Sequence, residues 1–172
     1  ETKYSMADLT TDNISTEQSN WVFDEKVAPK FDEHVNSSVP DYGRIQKMAT
    51  EYADWFTYDG CRVIDLGAST GTTIKSIRNR MGAKQIDYVG YDNSKAMIKQ
   101  AEEKGVRVQF ADIATSDFPR FAYGISLYTL QFVRECERYD ALKRLSDAKE
   151  GGGALFVVEK VHASNGMFHD MQ

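Results

Sequence analysis

The sequence has only two cysteines in 172 residues, and neither has a partner at the spacing of metal ligands. Cys61 and Cys136 stand in unrelated segments, which argues against a disulfide framework and against a structural zinc site. The three histidines, His34, His162 and His169, are equally scattered. We therefore expect a reduced, cytoplasmic protein without a metal centre.

The chain also lacks a long apolar run and an excess of positive charge. No segment approaches membrane-spanning length, and 21 Lys and Arg against 26 Asp and Glu give a net charge of −5. These features argue against a membrane span and against direct binding of nucleic acid by charge. Residues 1–20 are polar and carry no signal pattern, which predicts a flexible N-terminal arm.

Residues 21–172 are long enough for one domain with a buried core. We expect a helical N-terminal cover over 21–58 and a core sheet over 59–172. Alternating patterns predict a doubly wound, mostly parallel α/β sheet, which binds its ligand at the carboxyl ends of the strands. The predicted elements are a helix from about Asp41 to Phe56, strand Cys61–Leu66, helix Gly71–Met81, strand Gln85–Tyr91, a helix after Asn93-Ser94 ending at Gly105, strand Val106–Phe110, strand Ala122–Tyr128, helix Arg134–Lys149, a turn at Gly151–Gly153 and strand Ala154–Val158.

The most informative segment is the end of the first strand, where an acid precedes a glycine turn. Asp65 stands two residues before Gly67, and a helical pattern begins just beyond Gly71. Glycine lets the backbone approach a ligand closely, and the helix start offers free N–H groups. An acid at this position suits the ammonium group of an amino acid.

The glycine spacing does not fit a dinucleotide site. An NAD or FAD fingerprint needs further glycines where this chain has Ser69 and Thr72. An ordinary strand-to-helix turn without a ligand remains the alternative.

Two more acids follow the next strands. Asp92 ends the second strand, where a carboxylate can accept hydrogen bonds from both hydroxyls of a ribose. Asp112 ends the third, where it can accept from an adenine amino group while Ile113 packs on the ring. The alternatives are a helix cap at Asp92 and an exposed turn residue at Asp112. Tyr128, at the end of the fourth strand, is expected beside a sulfonium centre.

From Cys61 to Glu159 these motifs resemble those of class I S-adenosylmethionine-dependent methyltransferases. The stretches Trp21–Val27, Ser38–Tyr42, Tyr128–Phe132 and Glu159-Lys160 are similar, more specifically, to the carboxy-S-adenosylmethionine synthase family. This resemblance implies a Rossmann-like fold and S-adenosylmethionine or its carboxy derivative as cofactor. The residues expected at the cofactor are Tyr42, Asp65, Gly67, Ala68, Ser69, Gly71, Asp92, Asn93, Asp112, Ile113 and Tyr128.

The resemblance implies a small-molecule substrate, prephenate, whose carboxyl group is loaded onto S-adenosylmethionine for later use on tRNA wobble uridine. This chain departs from the family in two respects. Leu127 stands where the family usually has asparagine, and the last arginine is Arg144, so the family's later carboxylate-binding arginine has no counterpart. The final strands of the sheet are also missing, which suggests a fragment, a chain completed by a partner subunit or in a homodimer, or a protein that has been reduced in size.

Two other functions remain open from the sequence. One is simple methyl transfer to a small molecule or RNA, and the other is a non-catalytic adenosyl-binding subunit. The sequence identifies no catalytic base, although Tyr42, Tyr128 and Glu159 are expected near the pocket. An Asn/Asp-Pro-Pro-Tyr run is absent after the fourth strand, which argues against methylation of amino groups on adenine, cytosine or glutamine.

Overall fold

A pair of helices precedes the sheet in the computed structural model, which describes residues 31–160. They are α1 (Phe31–Ser38) and α2 (Tyr42–Phe56), and they form the described part of the predicted cover. The predicted arm 1–20, the stretch Trp21–Val27, His162 and His169 lie outside the described residues.

Helix α2 lies on the sheet through two small side chains. Ala49 and Ala53 are fully buried, and their size lets the helix approach closely. The hydroxyl of Tyr123, from the middle of the sheet, donates to the carbonyl of Ala49 at 2.8 Å. The helix that leads into the site is therefore fixed to the core.

Strands and helices alternate after α2, as predicted, with most boundaries within two residues of the expected ones. The elements are β1 (Arg62–Leu66), α3 (Thr72–Met81), β2 (Asp87–Asp92), α4 (Lys95–Glu103), β3 (Val108–Phe110), β4 (Phe121–Leu127), a 3-10 helix (Leu130–Phe132), α5 (Glu135–Ala148) and β5 (Lys149–Val158).

All five strands are parallel and lie in the order β3-β2-β1-β4-β5. The chain therefore winds outward from β1 in one direction and from β4 in the other. The doubly wound sheet predicted from the sequence is confirmed, and its switch point lies between β1 and β4. In sheets of this kind the ligand crevice opens at the carboxyl ends of the strands beside that point.

The core has a layer on each face of the sheet. On one face α2 and α3 cover Val63, Tyr123 and Ile125, and on the other α5 covers Ile64 and Leu66. Because neighbouring residues of β1 point to opposite faces, the strand is apolar on both sides. Asp65 interrupts this pattern at a buried position.

The prediction of a turn at Gly151–Gly153 was wrong, because these glycines lie inside β5. Pairing of β5 with β4 shifts register between Phe121 and Tyr123, which places a bulge at the glycines. Gly152 has φ +82°, and a Cβ on Gly153 would lie 2.5 Å from the carbonyl oxygen of Ala122. These glycines allow two strands to approach each other closely. A run of glycines in the sequence does not distinguish such an approach from a turn.

Candidate functional site

The glycine turn after β1 is held against β2 by its own backbone. The N–H groups of Gly67 and Ala68 both donate to the carbonyl of Tyr91, at 2.8 and 3.0 Å. Gly67, Ser69 and Gly71 all have positive φ, of 68°, 50° and 75°. The turn therefore coils tightly before α3 begins, and it leaves a concave backbone surface at the end of β1.

Asp65 lies at the floor of this concavity. Its residue is 3% exposed, it borders the pocket, and its carboxylate has no hydrogen-bond partner among residues 31–160. Burial, with a smaller contribution from the charge of Asp92, raises its pKa to about 8. A buried carboxyl without a partner is costly, and a cationic ligand group that donates hydrogen bonds would remove that cost.

Asp92 joins the glycine turn to the start of α4. Its Oδ2 accepts from the Ser69 N–H and its Oδ1 from the Ser94 N–H, both at 2.8 Å. Burial raises the pKa of Asp92, although these backbone hydrogen bonds oppose the rise. The contact with Ser94, at the start of α4, is of the kind that the helix-capping alternative for Asp92 expects. Each oxygen still has a second lone pair with which to accept from a ligand hydroxyl.

Asn93 is exposed, and Ser94 rather than Asn93 caps α4. The Ser94 side chain accepts from the Met97 N–H at 3.3 Å. The helix ends before Gly105, which has φ +70°.

Asp112 and Ile113 lie in the loop after β3. Asp112 is exposed, and its Oδ1 accepts from the Ala114 N–H at 2.9 Å. Its other carboxylate oxygen has no partner in the described part of the chain. Ile113 is half-buried and packs against the core cluster under α5. The free oxygen of Asp112 is the feature available to a ligand.

Two tyrosines stack at the mouth of the site. The rings of Tyr42, at the start of α2, and Tyr128, after β4, are 6.0 Å apart and inclined by 28°. Tyr128 has φ +55°, an unfavourable conformation for a residue with a side chain. Burial raises the pKa of both hydroxyls, so both tyrosines stay neutral at physiological pH.

A pocket brings together part of the predicted set. It is bordered by the predicted residues Tyr42, Asp65, Gly67, Ala68 and Ser69, together with Phe31, Asp32, Gln46, Thr70, Thr72, Thr73 and Leu127. Asp92 adjoins this pocket through Ser69. The predicted residues Gly71, Asn93, Asp112, Ile113 and Tyr128 do not border it.

The sequence analysis missed Asp32, which closes one side of the pocket. Its carboxylate accepts from Thr70 Oγ1 at 2.7 Å, from Thr72 Oγ1 at 3.1 Å and from Lys104 Nζ at 2.5 Å. Burial opposes ionisation of Asp32, but hydrogen bonds from Lys104 and both threonines outweigh it and hold its pKa below the ordinary range. These partners lie 38 to 72 positions away, so no local signal could reveal them.

We expect Lys104→Met to loosen α1 from the glycine turn, because Asp32 would lose its charged donor. The expected cost is about 0.5–1.5 kcal/mol, the usual worth of such a contact. Amide hydrogen exchange over residues 31–38, followed by mass spectrometry, should become faster than in the wild type. Lys99→Met, on the exposed side of α4, is the matched control. Equal exchange of α1 in both variants would contradict this role of Lys104.

Glu159, a residue expected near the pocket, caps the segment after β4. Its Oε1 accepts from the N–H groups of Thr129 and Leu130 at 3.0 and 2.7 Å, and its Oε2 from Gln131 at 3.1 Å. Burial raises its pKa, and the backbone hydrogen bonds oppose the rise. These contacts give Glu159 a structural role in the described residues.

Among the described residues, no arginine or lysine borders the pocket, so none lies there to bind a second ligand carboxylate. Arg44 is exposed on α2, away from the pocket lining. Leu127 borders the pocket with an apolar side chain. The described residues also contain no group of three or more His, Cys, Asp and Glu arranged to hold a metal ion. None of their helices is long and apolar enough to cross a membrane.

Comparison with known proteins gives one consistent family. Residues 63–153 match the family described as "Methyltransferase domain". A carboxy-S-adenosyl-L-methionine synthase from Nautilia profundicola is 33% identical over 154 residues, which cover 86% of this chain and 65% of that protein. Its counterpart from Staphylococcus epidermidis is 30% identical over 165 residues, which cover 88% of this chain and 72% of that protein.

Solved structures support the same fold. An S-adenosylmethionine-dependent methyltransferase from Clostridium acetobutylicum aligns with a TM-score of 0.61 at 19% identity, covering 77% of this chain and 55% of that one. At this identity the likeness concerns the fold alone. This chain spans somewhat less than two thirds of the length of the Nautilia relative.

Proposed function

Because this chain belongs to the carboxy-S-adenosyl-L-methionine synthase family of methyltransferase-domain proteins, we propose that it binds S-adenosylmethionine at the carboxyl ends of β1 and β2. The observation that carries the proposal is Asp65. Its buried carboxylate faces the pocket without a partner in the described chain, and the ammonium group of a methionine moiety supplies both the charge and the donors it lacks.

The rest of the ligand follows the order of the strands. The ribose hydroxyls bind the remaining lone pairs of Asp92, and the adenine amino group binds the free oxygen of Asp112. The backbone from Gly67 to Gly71 lies against the methionine part, with Ala68 and Ser69 in contact and Asn93 beside the ribose. Tyr42 and Tyr128 cover the sulfonium, and Ile113 packs on the adenine.

We propose a transferase reaction at the methyl carbon of that sulfonium group. In the carboxyl-transfer form, prephenate would supply the carboxyl group as carbon dioxide, with phenylpyruvate and hydroxide as its other products, and the hydroxide would take up the proton that the S-methyl group loses. The stacked tyrosines and Leu127 contribute an apolar surface that excludes water from the reacting carbon. Neither tyrosine is assigned as a base, because burial keeps both hydroxyls neutral.

A second candidate is methyl transfer to a small molecule or RNA. It is favoured by the described lining of the pocket, which carries no arginine or lysine to hold an added carboxylate. Methyl transfer requires little more than positioning of an already activated group. In the carboxyl-transfer form, a second copy of the chain or another subunit supplies the cation that the described lining lacks, and a homodimer is the simpler arrangement.

The deciding experiment has two steps. Calorimetry with S-adenosylmethionine tests the site, and loss of binding in Asp65→Leu locates it. Mass spectrometry of the small molecules after incubation, with and without prephenate, then tests the reaction. A prephenate-dependent product heavier by one carboxyl group supports the synthase activity. Bound but unchanged S-adenosylmethionine supports the second candidate or a non-catalytic adenosyl-binding subunit, and absence of binding would refute all of these functions.

We expect Asp92→Ala to weaken S-adenosylmethionine binding by about 1–3 kcal/mol, because the ribose hydroxyls would lose their acceptor. The variant also loses the contacts with Ser69 and Ser94, so its thermal unfolding must be measured alongside the calorimetry. Asp92→Asn retains one acceptor oxygen, and its affinity for S-adenosylmethionine should lie between those of the wild type and Asp92→Ala. Unchanged affinity in a folded Asp92→Ala protein would contradict the ribose assignment.

A further inference from the structure

An arginine on α5 reaches across to the loop that carries Asp112. The Arg144 guanidinium donates to the carbonyls of Ile113, at 3.5 Å, and of Ala114, through a shorter contact. Its Nε is buried without a hydrogen-bond partner among residues 31–160, 3.9 Å from Asp117 Oδ1. The side chain is therefore directed at backbone oxygens rather than at a partner carboxylate.

The carbonyls held by Arg144 belong to the turn that orients Asp112. The Ala114 N–H donates to Asp112 Oδ1, so the peptide groups on both sides of Ala114 are fixed, one by Asp112 and one by Arg144. The Asp112 carbonyl accepts from the N–H of Ser116 at 2.8 Å, and the Asp112 N–H donates to Ser116 Oγ at 3.2 Å. Arg144 is the charged donor in this turn and the link between it and the core helix.

We propose that Arg144 is a positioning residue for the base of the ligand: by holding the 113–114 carbonyls, it aims the free oxygen of Asp112 at an adenine amino group. The inference rests on the proposed function. Its consequence is selectivity for 6-amino over 6-oxo purines, because a carboxylate oxygen accepts from an amino group and repels a carbonyl. Asp112 is exposed, so without Arg144 its carboxylate can turn away at little cost.

One terminal nitrogen of Arg144, Nη2, bridges the two neighbouring carbonyls, and the rigid planar guanidinium fixes the direction of its N–H groups. A lysine carries its charge on a flexible stem, with rotatable donors that are not held in one plane. Arg138, on the same helix, provides a comparison, since it donates to the carbonyls of Val133 and Gln131 at 2.9 and 3.3 Å. The two arginines support different loops, and only that of Arg144 carries Asp112.

The test compares S-adenosylhomocysteine with S-inosylhomocysteine, which differ at the 6-position of the purine, by calorimetry on the full chain. In Arg144→Met we expect the preference for the adenosyl ligand to fall by about tenfold relative to wild type. Arg144→Lys should retain part of the preference, and Arg138→Met all of it. A fall in affinity that is equal for both ligands would show a merely structural role and overturn the proposal.

A double-mutant cycle gives a second, independent readout. If Arg144 acts through Asp112, then Arg144→Lys should change the preference little in an Asp112→Ala background. A full additional loss in that background would overturn the proposal. Failure of the wild type to bind S-adenosylhomocysteine would be a failure of the proposed function instead, so the two are separable. Should Arg144→Met not fold, the lysine variant and the cycle decide the question.

Discussion

Asp65→Asn should remove most of the pH dependence of stability of the ligand-free protein between about pH 4 and pH 8. The pKa of Asp65 is raised from 3.8 to about 8, so the folded chain holds a proton there that the unfolded chain releases. The stability associated with this proton is complete below pH 4 and is lost as the pH rises through 8. Each pH unit within that window costs about 1.4 kcal/mol. Asparagine does not titrate, and it should flatten the profile.

The measurement is chemical denaturation at several pH values for wild type and Asp65→Asn. Asp140→Asn, an exposed change on α5, is the control and should leave the wild-type slope intact. A ligand ammonium requires the ionised carboxylate, so S-adenosylmethionine should bind the wild type with release of a proton below pH 8. Asp65→Asn should weaken that binding by about 1.5–3 kcal/mol. Parallel stability profiles for Asp65→Asn and wild type would contradict the burial assigned to this carboxyl.

Gly67→Ala should destabilise the fold by about 3 kcal/mol or more, before any ligand is considered. A Cβ on Gly67 would lie 2.3 Å from Thr129 Oγ1, and the residue has φ +68°. The hydroxyl of Thr129 cannot simply move aside, because it donates to the Leu66 carbonyl at 2.9 Å. Thermal or denaturant unfolding gives the free-energy change directly.

Gly105→Ala separates the cost of the clash with Thr129 from the cost of a positive φ. Gly105 has nearly the same φ, +70°, but a Cβ there would meet nothing within 4 Å. It should therefore show the conformational penalty alone, about 1–2 kcal/mol. Adding Thr129→Gly to Gly67→Ala should recover part of the loss. Equal costs at the two glycines would contradict the steric explanation.

Much of the fold followed from local pattern. Apolar strands alternating with capped helices predicted the parallel doubly wound sheet, because each element's pattern reflects which faces it buries. The acids at Asp65 and Asp92 were found because strand ends place them at one edge of the sheet. That inference needs order along the chain and no knowledge of tertiary contacts.

What the sequence could not predict depends on contacts between distant residues. Gly67 was expected to make room for a ligand, whereas the nearest obstacle is Thr129, from the end of another strand. Nothing in the sequence distinguishes Asp32 from the other acidic residues, because its contacts form only when α1 packs on the glycine turn. The glycines of β5 resemble a turn because the sequence shows that these residues are conformationally free. It does not show that a neighbouring strand packs closely against them.

The cap formed by Glu159 has a consequence for the order in which the protein is built. The segment of residues 129–131 obtains its hydrogen bonds from a side chain about 30 positions later, beyond the last described strand. During synthesis, the wall of the site that contains Tyr128 therefore waits for β5 to emerge and pair with β4. The half of the site formed by Asp65, the glycine turn and Asp92 can assemble earlier, and we expect it to mature first.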